Sequence, residues 1–262
     1  MNRLVPTAMG LVLLCAAGCA KKEPKPLRTE PWLAHPTARA RASGADAALP
    51  LTRYVLGERS VIRFEIPSKR GRLSGSVTRV TGELEVDLSD LTQSRGMVQA
   101  ELGSLDLRAA TEGGAPALLE RARAALELSP DPSAPAVFAS FDLTSVEDAA
   151  PAQVEPAPER DAGALSPTPF IRRTRFTAVG NLLLHGFRVT HRAPLSAEFS
   201  FAGDRQVPSS VLIRSRAPFV ISLETHAIVA PAAESTAKGR GEVPVQAREA
   251  HVSVELYGTK VD

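Results

Sequence analysis

From Thr52 onward the chain repeatedly alternates apolar with polar residues, the period of a strand with one buried face. "SVIRFEI" (60–66) sets Ile62, Phe64 and Ile66 against Arg63 and Glu65, and "GELEVDL" (82–88) sets Leu84, Val86 and Leu88 against Glu83, Glu85 and Asp87. "MVQAEL" (97–102) and "VFASFDLTSV" (137–146) repeat the scheme, with Val98, Ala100 and Leu102, then Val137, Phe141 and Leu143, on the apolar side. "FTAVGNLLL" (176–184), "LSAEFSF" (195–201), "FVISLET" (219–225) and "HVSVELYG" (251–258) complete a set of eight predicted strands.

One segment departs from this period. In "APALLERARAALEL" (115–128) Leu118, Leu119, Ala122 and Leu126 recur at helical spacing, Pro116 suits a first turn and Pro130 stops the run, so one helix is predicted between strands three and four. Two Pro-rich or small-residue stretches, about 147–169 and 230–247, read as long surface loops. An antiparallel sheet of eight strands with one apolar face hides that face by packing on a second sheet or by curling into a barrel. Gly57, Gly82 and Gly180, inside strand-like runs, permit the bends a small barrel needs and favour closure.

Before the strands the text is different. Arg3 precedes an apolar run from Ala8 to Ala17, too short to span a bilayer, and "AAGC" (16–19) follows, so residues 1–18 read as a secretory signal. Small residues just before a cysteine resemble the lipobox of bacterial lipoproteins, which implies that Cys19 is acylated and becomes the new N-terminus. Acyl chains at ~0.8 kcal/mol per buried methylene hold such a protein on a membrane when two or more are present. Ala20 lacks the aspartate associated with inner-membrane retention, so the resemblance implies an outer-membrane anchor facing the periplasm. Residues 19–51, rich in Pro, Ala and charge, form a tether, and 52–262 the strand-rich domain. Cys15 and Cys19 are the only cysteines, so an exported fold is held by its core without disulfides. With 31 basic and 29 acidic side chains there is no charge-based case for nucleic acid as a partner.

"YVLGERSVIRFEI", "SAPAVFASFDLTSV" and "FTAVGNLLLHGFRVTHRAPLSAEF", in this order, resemble the YceI-like family of periplasmic, lipocalin-like polyisoprenoid-binding proteins. The most specific part is Gly180 through Gly186, which matches that family's "G-x-L-x-x-x-G" hairpin, and the resemblance spans roughly residues 53–258 outside the two loops. After the hairpin this chain carries Arg188-Val189-Thr190 where the family often has Thr-Lys/Arg-Pro. The resemblance implies an all-β fold, an eight-stranded antiparallel lipocalin-like β-barrel with one α-helix between strands three and four, holding an isoprenoid-type lipid, polyprenyl or quinone-like.

The chemistry-bearing residues fit that expectation better than an enzyme. His185-Gly186 falls where two strands reverse, and a tight turn needs the left-handed backbone that glycine adopts freely and histidine tolerates. The other histidines, His35, His191, His226 and His251, are scattered with no metal-ligand spacing, so no metal and no cofactor is predicted. No Gly-x-Ser-x-Gly elbow and no phosphate-cradling loop in strand-to-helix context occurs, so no catalytic residue is assigned. The candidate ligand wall is the apolar face itself: Ile62, Phe64, Leu84, Val86, Val98, Phe141, Leu182, Phe199, Phe219 and Ile221. Arg70, Arg72, Arg172 and Arg173, near strand ends, are candidates to meet a polar head at the mouth. The competing reading is an envelope lipoprotein with a filled barrel that serves structure or protein contacts.

Overall fold

The computed structural model describes residues 51–68, 71–109, 115–128, 137–158, 170–202, 206–228 and 248–261. Cys19, the tether and the stretch 230–247 lie outside the described residues. The elements are β1 (Thr52–Leu56), β2 (Val61–Ser68), β3 (Gly71–Val77), β4 (Val80–Val86), β5 (Arg95–Glu101), β6 (Leu105–Ala109), α1 (Ala115–Ala125), β7 (Phe138–Ala150), β8 (Phe170–Leu184), β9 (Phe187–Phe201), β10 (Ser210–Ser215), β11 (Phe219–Ser222) and β12 (Glu249–Lys260).

Every strand pairing is antiparallel, and the order β1-β4-β5-β7-β8-β9-β10-β12 returns to β1, closing a ring of eight. Four of the eight long strands are interrupted, which is why twelve segments appear. β1 and β2 run along the same neighbour, β12, from Leu56↔Gly258 to Val61↔Glu255. At the break, Ser60 Oγ accepts the Tyr257 N–H at 3.0 Å and the Gly57 N–H donates to Tyr257 O at 3.0 Å. β10 and β11 break likewise before Pro218, where Ser215 Oγ accepts the Val254 N–H at 2.9 Å. Side chains thus take over ladder bonds where a tightly curled strand bends.

Past the breaks the ring is incomplete among the described residues. β6 pairs only with β3, and β11 only with β12, so β6 and β7 are not hydrogen-bonded to each other, nor are β9 and β11. α1 packs beside β6, with Ala122, Leu119 and Leu126 against Val77, Leu105, Leu107 and Ala139. The short 3-10 turn Glu224–His226 lies against β9 on the other side. The β8–β9 hairpin turns in two residues, His185 at φ 51° and Gly186 at φ 78°, the mirror-image turn whose twist suits antiparallel strands.

Two local expectations are corrected. Residues 147–150 belong to β7, and 151–158 lie against the barrel instead of forming part of a free loop: Val154 is buried, its N–H donates to Leu88 O at 2.8 Å, and Leu91 N–H donates to Ala152 O at 2.8 Å. A buried valine and two backbone bonds compensate the low apolar content of this stretch. Val137 is exposed and precedes β7, where its carbonyl accepts the Leu102 N–H; Ala139, Phe141 and Leu143 form the inward set, and a register shift at Leu143/Ser145 turns Val146 inward after them.

Candidate functional site

Alternation places one side chain in two inside the ring, and these side chains do not fill it. A cavity of about 280 Å³ lies among them. Each of Ile62, Phe64, Leu84, Val86, Val98, Phe141, Leu182, Phe199, Phe219 and Ile221 stands on its wall. β12 adds Val252, Val254 and Leu256, β8 and β9 add Ala178, Ala193 and Ala197, and α1 contributes Ala122 and Ala125, with Leu126 just after it. Several of the larger members (Ile62, Phe64, Val98, Phe141, Leu182 and Phe219) are only half-buried although they point inward. Gly180 makes room for one of them, since a Cβ there would collide with the Phe141 ring and the Asp142 carbonyl.

Among the described residues the wall carries three polar side chains, Ser94, Arg95 and His191. Two are engaged elsewhere: Ser94 Oγ accepts the Asp87 N–H at 3.2 Å, and the Arg95 guanidinium binds the Glu85 carboxylate. His191, inward-facing on β9, stacks on His226 with ring centroids 5.9 Å apart and planes 16° from parallel. Nε2 of each ring is buried with no hydrogen-bond partner among the described residues. Burial, and after it the neighbouring His226, hold the His191 pKa below the ordinary imidazole value.

His226 is fully buried and tied to the hairpin in both directions. Its Nδ1 lies 3.2 Å from Leu184 O, and His185 Nδ1 lies 3.0 Å from His226 O. A carbonyl only accepts, so both Nδ1 atoms carry the proton. His185 Nε2 sits 3.8 Å from Glu127 Oε1, just beyond α1. The turn histidine is therefore also a clasp between β8–β9, the 224–226 turn and the end of the helix. His226 was not among the sequence candidates, because it approaches Leu184 across 42 residues of chain and no local pattern reports such a contact.

Of the basic candidates, Arg172 and Arg173 are not brought to this wall. Arg172 pairs with Glu155 at 3.2 Å, donates to Pro156 O at 3.2 Å and lies over the Phe170 ring, and Arg173 pairs with Glu198 at 2.9 Å. Both sit near the start of β8, away from the hairpin end. Arg70 and the side chain of Arg72 lie outside the described residues.

Comparison with solved structures finds similarity to a polyisoprenoid binding domain from Saccharophagus degradans implicated in plant cell wall breakdown, at 13% identity and TM-score 0.47, over 80% of this chain and 99% of that one. BcnA of Burkholderia cenocepacia is similar at 13% identity and TM-score 0.46, over 77% of this chain and 97% of that one. No protein-family model and no curated protein matches the sequence.

Proposed function

We propose that this protein binds or carries an isoprenoid-type lipid, polyprenyl or quinone-like, inside its barrel, and that the ten apolar candidates on the wall make the contact. The observation that carries the reading is the cavity of about 280 Å³ with its almost wholly apolar lining, reached by side chains from both sides of the ring and from α1. An isoprene unit of five carbons gains roughly 4 kcal/mol gross at ~0.8 kcal/mol per carbon group. Three units bring about 12 kcal/mol, which leaves micromolar affinity after ordering costs. The role is binding, without catalysis. The sequence "AAGC" at 16–19 supports attachment of the domain through an acylated Cys19 to the outer membrane, facing the periplasm, with residues 19–51 as spacer.

Native mass spectrometry of the gently extracted protein tests the carrier reading. A co-purified mass of apolar lipid is expected; a bare protein mass under every extraction condition, together with no uptake of added prenols, points to the filled-barrel lipoprotein instead. For the anchor, Cys19→Ser is expected to move the protein from the detergent phase to the aqueous phase.

A further inference from the structure

We infer that the His191–His226 pair is the head-group subsite of the cavity and that it takes a single uncharged oxygen, an alcohol hydroxyl or a quinone-type carbonyl, in preference to a phosphate. This rests on the lipid-binding reading and adds to it the chemistry of the head and the direction in which the ligand lies.

Among the described lining residues His191 carries the one side-chain nitrogen with unmet hydrogen-bonding capacity, and that nitrogen is buried in the wall. Ser94 and Arg95 are satisfied by Asp87 and Glu85, while His191 Nε2 has no partner. A buried polar atom left unpaired costs about 1–3 kcal/mol, so a ligand atom that pairs with it recovers stability a hydrocarbon cannot. His226 Nδ1 donates a hydrogen bond to Leu184 O, and its Nε2, on the ring stacked against His191, has no partner among the described residues. His191 has no such carbonyl fixing its tautomer, so its Nε2 can accept from a hydroxyl or, with the proton moved to it, donate to a carbonyl. The torsion that turns the ring toward the cavity is soft in histidine.

An anion suits this place less well. The only guanidinium on the described wall is Arg95, bound to Glu85, so a phosphate would have to be neutralised by protonating two imidazoles stacked on each other in an apolar wall. The lowered proton affinity of His191 runs against that. The pair stands beside the β8–β9 hairpin, so the head lies at the hairpin end and the chain runs toward Phe176, Leu195 and Val211.

The test uses geranylgeraniol, its hydrocarbon counterpart and its monophosphate with the whole domain, titrated by calorimetry or by competition. The alcohol is expected to bind about tenfold tighter than the hydrocarbon and tighter than the phosphate, and His191→Leu is expected to erase the alcohol's advantage over the hydrocarbon. In parallel, the unmodified protein carrying labelled histidine is expected to show ring-nitrogen shifts of His191 with the alcohol and none with the hydrocarbon. Equal affinity for alcohol and hydrocarbon, tightest binding of the phosphate, or unmoved His191 nitrogens overturns the subsite while the carrier reading stands. Failure of all three probes to bind overturns the carrier reading, and the subsite with it.

Discussion

Tyr54 and Phe219 both point into the same ring, yet they sit in opposite kinds of interior. Around Tyr54 the packing is tight: Tyr54, Leu56 and Val80 are fully or almost fully buried and stand off the cavity wall, the Tyr54 ring leans on the wall residue Phe199 at 6.5 Å, and its hydroxyl donates to Pro208 O at 3.0 Å. Burial pushes that hydroxyl well above its usual titration range, so it stays a donor. Around Phe219 the neighbours surround a void, the large side chains are half-buried, and two imidazole nitrogens have no partner among the described residues. The difference teaches that one face of one sheet does two jobs. The cluster of Tyr54, Leu56 and Val80 meshes and its polar group is met, whereas inward side chains from the rest of the paired ring, and from the part beside α1 and the 224–226 turn, line space for something else.

The contrast is broken or sharpened by substitution. The largest effect is expected for Tyr54→Ala, a loss of about 3–5 kcal/mol in denaturant unfolding, since it opens a void in the packed region and orphans Pro208 O; Phe219→Ala is expected to cost only about 1–2 kcal/mol because its ring already faces empty space. Equal costs at the two sites would erase the distinction. Gly180→Ala is expected to destabilise by about 1–3 kcal/mol, measured by thermal melting, because the new methyl collides with Phe141 and Asp142 backbone in the bend.

A smaller effect is expected from pH. His191 titrates lower in the fold than in the unfolded chain, so between its lowered folded pKa and the unfolded value of about 6.5 the unfolded chain binds the extra proton. Stability is therefore whole above that window and declines as pH falls through it. Between pH 7.5 and pH 5 the wild type should lose more melting temperature than His191→Leu; an identical acid response in both would remove His191 from the account. The smallest effect belongs to Arg173→Ala, where an exposed ion pair with Glu198 is worth about 0.2–1 kcal/mol and lipid affinity should not change. A loss of affinity in that variant would return the head group to the start of β8.

Much of this was legible in the chain because alternation is a local property. The eight periodic runs fall on the eight long strands, and Ile62, Phe64, Leu84, Val86, Val98, Phe141, Leu182, Phe199, Phe219 and Ile221 share the inner face because every second residue must. The helix was legible from Leu119, Ala122 and Leu126, and the turn from His185-Gly186. The halves missed were β1, β3, β6 and β10. In β3 the inward positions are Leu73, Gly75 and Val77 beside serines, a pattern with too few oily residues to register, and β1 is cut from β2 by Gly57–Ser60. The polar part of the site was not legible, since the stacking of His191 on His226 and the capture of Arg172 by Glu155 and Pro156 depend on how distant segments dock. Nor does alternation report volume: it fixes which side chains face inward and leaves open whether they meet.

That last property is the one to measure. Ala178 lies on the cavity wall, paired with Ala193 across β8 and β9, and Ala178→Phe would place a ring in the void. Combined melting and prenol titration of this variant should show a stability change within about 1 kcal/mol and at least a tenfold loss of prenol affinity, the signature of a hollow barrel now plugged. A destabilisation of about 3 kcal/mol, as overpacking a filled core produces, or an unchanged prenol affinity in the folded variant, would contradict the account.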